Sequence, residues 1–226
     1  MLSLIYIDTL KYDPEPIFIS SNTLGDLISK VYWFSDRPFP SENKLPVPVI
    51  WTEIPRIQSF NEDYGKLALK LCPLICTEPH NLTIHNDGFA VNKEAWTNDF
   101  LNFDYIGACW GDGFVGNGGF TLRSRKLYDA LLDMDVAFDS QSYTDYMDND
   151  FYYVITNGKK FIPEDNIICK IHKKTLEDKY DIKFAPPALA DRFCIEHNLS
   201  SPWLGKSLGF HGKHGVHKYY GVNLNI

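Results

Sequence analysis

Two nearly unbroken apolar runs near the start limit the architecture most. Residues Leu2–Ile7, LSLIYI, are followed by VYWFSD at 31–36. A strand wetted on one face alternates apolar and polar residues. An unbroken run of aliphatic and aromatic side chains is buried on both faces, as in a parallel sheet covered on each side by helices. Between the runs, TLGDLISK within residues 16–30 reads as a helix, so the chain opens strand, helix, strand. The expected class is α/β, with a central, mostly parallel sheet flanked by helices.

Further along, the proline-rich RPFPSENKLPVPVIW interrupts regular structure, and SFNEDYGKLALKLC reads as a partly buried helix. The apolar LTI then runs into His85-Asn86-Asp87-Gly88. NKEAWTNDFLNFDYIGACW reads as a short amphipathic helix leading into a strand. VGNGGFTLRSR is a glycine-rich turn before a strand, and SRKLYDALLDM a helix begun by Ser124. FIPEDNIICKIHKKTLEDKY opens a helix with Glu164 and Asp165 in its first turn, and the remainder reads as short strands and loops.

A chain of 226 residues fits one domain spanning 1–226. Its net charge of −7 argues against nucleic-acid phosphates as the main partner, so any bound phosphate needs a cation or a local basic group. The five cysteines are scattered, which suits buried free thiols in a reducing compartment. The N-terminus lacks a basic leader and no run is long enough to span a bilayer, so a cytoplasmic location is expected.

In open α/β sheets ligands bind beyond the carboxyl ends of the strands. Three strands end in polar groups there: Asp8-Thr9, Ser35-Asp36 and His85-Asn86-Asp87. Each is equally readable as the start of a loop, and Asp87-Gly88 as a turn. Together they are expected to converge on one site, where Asp87 offers a hard oxygen ligand to Mg²⁺ or Mn²⁺. His211, His214 and His217 lie near the C-terminus without a Cys or Glu to complete a zinc set. His211, beside the apolar LGF, is the histidine best placed to join a cation held by Asp87. A carboxylate at a helix N-terminus usually stays ionised, which suits Glu164-Asp165 for base chemistry; a plain helix cap is the alternative.

Three blocks, HNDGFAVNKEAWTNDFLNFDYIGACW, VGNGGFTLRSRKLYDAL and PEDNIICKIHKKTLEDKYDIKFAPPALADRFCIEH, closed by LGFHG, together resemble a glycosyltransferase-like domain family of unknown function. That family occurs in bacteria, eukaryotes and large viruses and is similar to the GT-A superfamily of nucleotide-sugar transferases. The resemblance runs from about Leu82 to Gly212. It implies a Rossmann-like GT-A fold and transfer of a sugar from a UDP-, GDP- or dTDP-linked donor to a hydroxyl of a glycan or other acceptor, with Mn²⁺ or Mg²⁺ as cofactor. The superfamily's Asp-x-Asp metal motif falls on His85-Asn86-Asp87, where the first acid is missing. The resemblance therefore assigns Asp87 and His211 to the metal, with His85 either a ligand or a contact to the ribose side.

It also assigns Asp165 as the base of an inverting reaction, with Glu164 holding an acceptor hydroxyl. Asn117, Gly118 and Gly119 are expected to offer backbone N–H groups to sugar hydroxyls. Asp8, Thr9, Asp36 and Asn86 are expected on the nucleotide-sugar side, with Lys66 toward the phosphates. A retaining transferase, a non-catalytic carbohydrate or nucleotide-sugar binding module, and a hydrolase with paired carboxylates are the competing readings.

Overall fold

The computed structural model describes residues 1–40, 44–58, 60–110, 114–156 and 158–223, of which the side chains at 60, 61, 156, 213 and 214 are left aside. Its centre is a six-stranded sheet in the order β3-β2-β1-β4-β7-β6. The strands are β1 (Leu2–Ile7), β2 (Ile28–Ser35), β3 (Val49–Glu53), β4 (His80–Ile84), β6 (Tyr105–Ile106) and β7 (Thr121–Ser124). β1 pairs in parallel with β2 and β4, and β2 with β3. β7 runs antiparallel to β4 and β6.

Alternation along β1 and β2 explains their unbroken hydrophobicity. Leu2, Leu4, Tyr6, Val31 and Trp33 enter one core, while Ile5, Tyr32 and Phe34 enter the other. The sheet is covered on both faces, and each residue faces an apolar layer whichever way it points. Ser3, the polar residue of the first run, is buried and donates to Asn81 Oδ1 on β4 at 2.6 Å.

The first core lies under helix α1 (Glu15–Leu24) and a small second sheet. That sheet has the order β10 (Cys194–Ile195), β11 (Gly209–His211), β5 (Gly88–Ala90). The second core is closed by α4 (Arg125–Asp133), α6 (Lys173–Tyr180) and the turn at Leu67–Leu71 that follows α2 (Phe60–Lys66). α2 continues through a π-helical turn at Leu67–Leu71 into α3 (Cys72–Ile75). A second such turn, Ile167–Ile171, follows the short α5 (Glu164–Asn166), and α7 (Pro187–Phe193) leads into β10. A hairpin of β8 (Val154–Thr156) and β9 (Lys159–Phe161) stands apart from both sheets.

Three local expectations change. The first helix occupies Glu15–Leu24, and the residues after it are a 3₁₀ turn and the start of β2, so the last three residues of TLGDLISK are strand. Prolines at 14 and 16 favour the earlier start, and Gly25, at φ +54°, ends the helix. The proline-rich segment is not wholly irregular: Val49–Glu53 forms edge strand β3, with Pro48 just before it. The amphipathic helix read in 92–103 is two 3₁₀ turns, Lys93–Ala95 and Asn98–Asn102, capped by Asn92 and Thr97. The helix at Ser124 does begin as read, with Ser124 Oγ accepting from Leu127 N at 3.0 Å.

The five cysteines are free thiols, four of them buried. Among the described residues no helix is long and apolar enough to cross a membrane.

Candidate functional site

The polar end of β4 becomes a tight reversal. His85 N donates to Gly88 O at 2.7 Å and Gly88 N returns a bond to His85 O at 3.2 Å. Asn86 and Asp87 therefore sit at the apex of a two-residue turn, and the chain leaves it in β5, a strand of the second sheet. β11 pairs antiparallel with β5 so that His211 lies opposite Gly88. This register, rather than proximity in sequence, brings the imidazole to the turn: His211 Nε2 is 3.4 Å from Asp87 Oδ1. His85 completes a cluster in which one ligand atom from each of His85, Asp87 and His211 lies within 4.8 Å of the others. Two imidazoles and a carboxylate form a donor set that suits Mn²⁺ and similar divalent ions. The residues present fit a resident cation.

The charges are matched. Burial would push Asp87 up, but the hydrogen bond to His211 and the two imidazoles bring it down to about 2. Burial would lower His211, and the Asp87 and Glu196 carboxylates instead raise it to about 9. Glu196 follows β10, is 2% exposed, and places Oε1 2.7 Å from His211 Nδ1. Despite burial, its hydrogen bonds to His197 and His211 hold it well below the usual carboxylate range. Tyr64 Oη lies 2.7 Å from His85 Nε2 and fixes the first imidazole.

The cluster opens into a cavity of about 610 Å³, also lined by the glycine-rich turn, by Glu164-Asp165 and by an aromatic wall of Trp110, Phe151, Tyr153 and Phe161. Lys170, from the π-helical turn after α5, lies over the Trp110 ring at 4.4 Å and the Phe151 ring at 4.0 Å, and donates to Phe151 O at 2.8 Å. Glu164 is buried and paired with Arg123, itself 1% exposed, at 3.0 Å.

Asp165 departs from the helix-terminus expectation. Its enclosure, then the neighbouring Glu164 charge, raise it to about 7, although the Asn166 N–H opposes the shift. A three-residue helix has little dipole to set against burial and a like charge.

The glycines of the turn are space for these groups. A Cβ on Gly119 would lie 2.2 Å from His211 Nε2, and one on Gly118 would lie 1.9 Å from Glu164 Oε1. Asn117 adopts φ +71°, a left-handed conformation that asparagine tolerates, and its Oδ1 accepts from Gly119 N at 2.8 Å. Gly118 N donates to Asp165 Oδ2 at 3.0 Å. The expectation that Gly118 and Gly119 present N–H groups to a sugar is thus not met, because those donors are spent within the protein. Gly119→Ala should push the His211 ring aside and weaken Mn²⁺ binding about tenfold or more. Mn²⁺ titration of the variant checks this, with circular dichroism confirming the fold.

Asp87, His211, His85, Asn86, Asn117, Gly118, Gly119, Glu164 and Asp165 all line this one cavity. Asp8, Thr9, Asp36 and Lys66 do not. Asp8 caps the loop after β1, accepting from Leu10, Lys11 and Asp13 N–H at 2.8, 2.9 and 3.2 Å. Thr9 is buried and accepts from Ile57 N, Asp36 accepts from Tyr12 Oη at 3.1 Å, and exposed Lys66 faces the Phe138 ring. Of the C-terminal histidines, His217 is buried and outside the cluster, and the side chain of His214 is outside the described residues. Sequence reading missed Glu196, Tyr64, Trp110 and Lys170 as site residues. For Glu196 the only signal was an acid directly after the short apolar FCI.

The central sheet and the cavity define an α/β protein with a mostly parallel six-stranded sheet. The chain is similar to the crystal structure of the apo-form glycosyltransferase GlyE of Streptococcus pneumoniae TIGR4, with a TM-score of 0.54 and 13% identity over 92% of this chain and 53% of GlyE. It is similar also to a second GlyE structure, with a TM-score of 0.55 and 13% identity over 93% and 55% of the two chains. It therefore spans about half the length of that enzyme, and at such identity the likeness is one of fold. Residues 76–211 match the model of DUF5672, proteins of unknown function, and the chain belongs to that family. No curated protein matches it.

Proposed function

We propose that the protein is a GT-A-type, metal-dependent glycosyltransferase that moves a sugar from a nucleoside diphosphate donor to a hydroxyl of a glycan or related acceptor, with inversion. The observation that carries this reading is the meeting, in one cavity, of the His85–Asp87–His211 cluster with a carboxylic acid, Asp165, raised to about 7. The fold shared with GlyE supports it.

His85, Asp87 and His211 would hold Mn²⁺ or Mg²⁺, and the ion would supply positive charge to offset that of the departing diphosphate. Asp165 takes the proton of the acceptor hydroxyl as its oxygen attacks the anomeric carbon. The Gly118 N–H, bonded to Asp165 Oδ2, keeps the carboxylate oriented. Glu164, anchored by Arg123, orients the acceptor through a hydroxyl, and the aromatic wall offers flat apolar faces to a sugar ring. In an acidic protein the cation is what makes a diphosphate acceptable in a cavity that also holds Glu164, Asp165 and Glu196.

The base must be unprotonated to act. Transfer should therefore rise about tenfold per pH unit below about 7 and level off above it, as Asp165 deprotonates. A pH–rate profile flat from pH 5.5 to 8 would count against the assignment.

The reading is tested by incubating the protein with UDP-, GDP- and dTDP-sugars, Mn²⁺ and a panel of glycan acceptors, and scoring nucleoside diphosphate release and glycosylated product. Acceptor-dependent release from one donor class is expected. Release of free sugar from glycosides without a nucleotide would instead favour the hydrolase reading, and Mn²⁺-dependent nucleotide-sugar binding without turnover the binding module.

A further inference from the structure

We propose that Glu196 is a positioning residue: it accepts a hydrogen bond from His211 Nδ1–H and so leaves the Nε2 lone pair for a bound cation. This rests on the reading of the His85–Asp87–His211 cluster as a metal site.

The backbone puts Glu196 in place. β10 pairs in parallel with β11, Ile195 opposite Phe210, so the next residue, Glu196, emerges beside His211 at the end of β11. The carboxylate is held at both oxygens: Oε1 lies 2.7 Å from His211 Nδ1 and Oε2 lies 3.0 Å from His197 Nε2.

Nδ1 has a rival partner. Asn117 Nδ2 is 3.0 Å away, and the orientation of that amide is settled by its own oxygen, which accepts from Gly119 N at 2.8 Å and Phe120 N at 3.4 Å. An amide NH₂ only donates. Were Asn117 to dictate the tautomer, Nδ1 would carry the lone pair and Nε2 the proton, and His211 would turn an N–H toward Asp87. A carboxylate at 2.7 Å makes the stronger, charge-assisted bond and reverses that outcome. Glu196 thus selects the tautomer whose Nε2 lone pair is available to a cation, as carboxylates behind metal-bound histidines commonly do.

The test is Mn²⁺ titration of wild type, Glu196→Ala, Glu196→Gln and Asp87→Ala, followed by loss of the free-ion EPR signal. It is paired with ¹⁵N NMR of His211 without metal at a pH above about 9, where the imidazole is neutral and has a tautomer to read. Glu196→Ala is expected to bind Mn²⁺ about 10- to 100-fold more weakly and to move the proton from Nδ1 to Nε2. Glu196→Gln, whose amide oxygen keeps an uncharged acceptor, should fall between the two and carries the measurement if the alanine variant does not fold. Wild-type affinity and an unmoved proton in a folded Glu196 variant overturn the positioning role. Unchanged Mn²⁺ binding by Asp87→Ala overturns instead the metal-site reading beneath it.

Discussion

Asp87→Ala is expected to abolish Mn²⁺-dependent nucleotide binding and to reduce transfer by about 100-fold or more, the scale set by several kcal/mol of charge stabilisation at a leaving group. Asp87 is the carboxylate of the cluster, and its charge is already committed to the two imidazoles. Its removal leaves His85 and His211, which attract a hard cation poorly without an anionic oxygen. The side chain is part-exposed at 27%, and its backbone turn is closed by His85 and Gly88, so the fold should survive. Calorimetric titration with nucleoside diphosphate in Mn²⁺ reads the effect, and a variant that binds as wild type removes Asp87 from the site.

The second large effect is expected at Asp165. Asp165→Asn preserves size and an acceptor for the Gly118 N–H, so donor and Mn²⁺ binding should persist. Transfer should fall about 10²- to 10⁴-fold, the usual cost of losing a general base. Stability should move the opposite way. The folded pKa of about 7 lies above the roughly 3.9 of an unfolded aspartate. Between these values the folded state keeps a proton that the unfolded state has lost, so Asp165 makes the protein less stable as pH rises through that window. At pH 8 the asparagine variant should therefore melt above wild type, while at pH 4 the two should nearly coincide. Continued turnover of Asp165→Asn would show that the base lies elsewhere or that the reaction retains configuration.

How much of this was readable beforehand depended on the length of each signal. The runs in β1 and β2 declared a sheet buried on both faces because alternate residues enter two different apolar layers. β3 was hidden by the prolines before it, and β10 and β11, with two and three residues, are too short to carry any periodicity. Their register nevertheless aligns Glu196, His211 and the Asp87 turn. For that reason Asp87 and His211 could be matched by resemblance while Glu196 could not. The raised pKa of Asp165 was equally out of reach, since it comes from enclosure and a neighbouring charge rather than from the helix start visible in PED. Asp8 illustrates the converse: a strand-end acid that promised a ligand contact closes its own loop through three backbone N–H bonds.

The central claim is that this cavity takes a nucleoside diphosphate through a divalent cation. Titrating UDP, GDP and dTDP into the wild-type protein, once with Mn²⁺ and once with EDTA, tests it most directly. One of the three should bind saturably with Mn²⁺ and lose all measurable binding in EDTA. Binding of equal strength under both conditions, or of none of the three with Mn²⁺ present, would contradict the account.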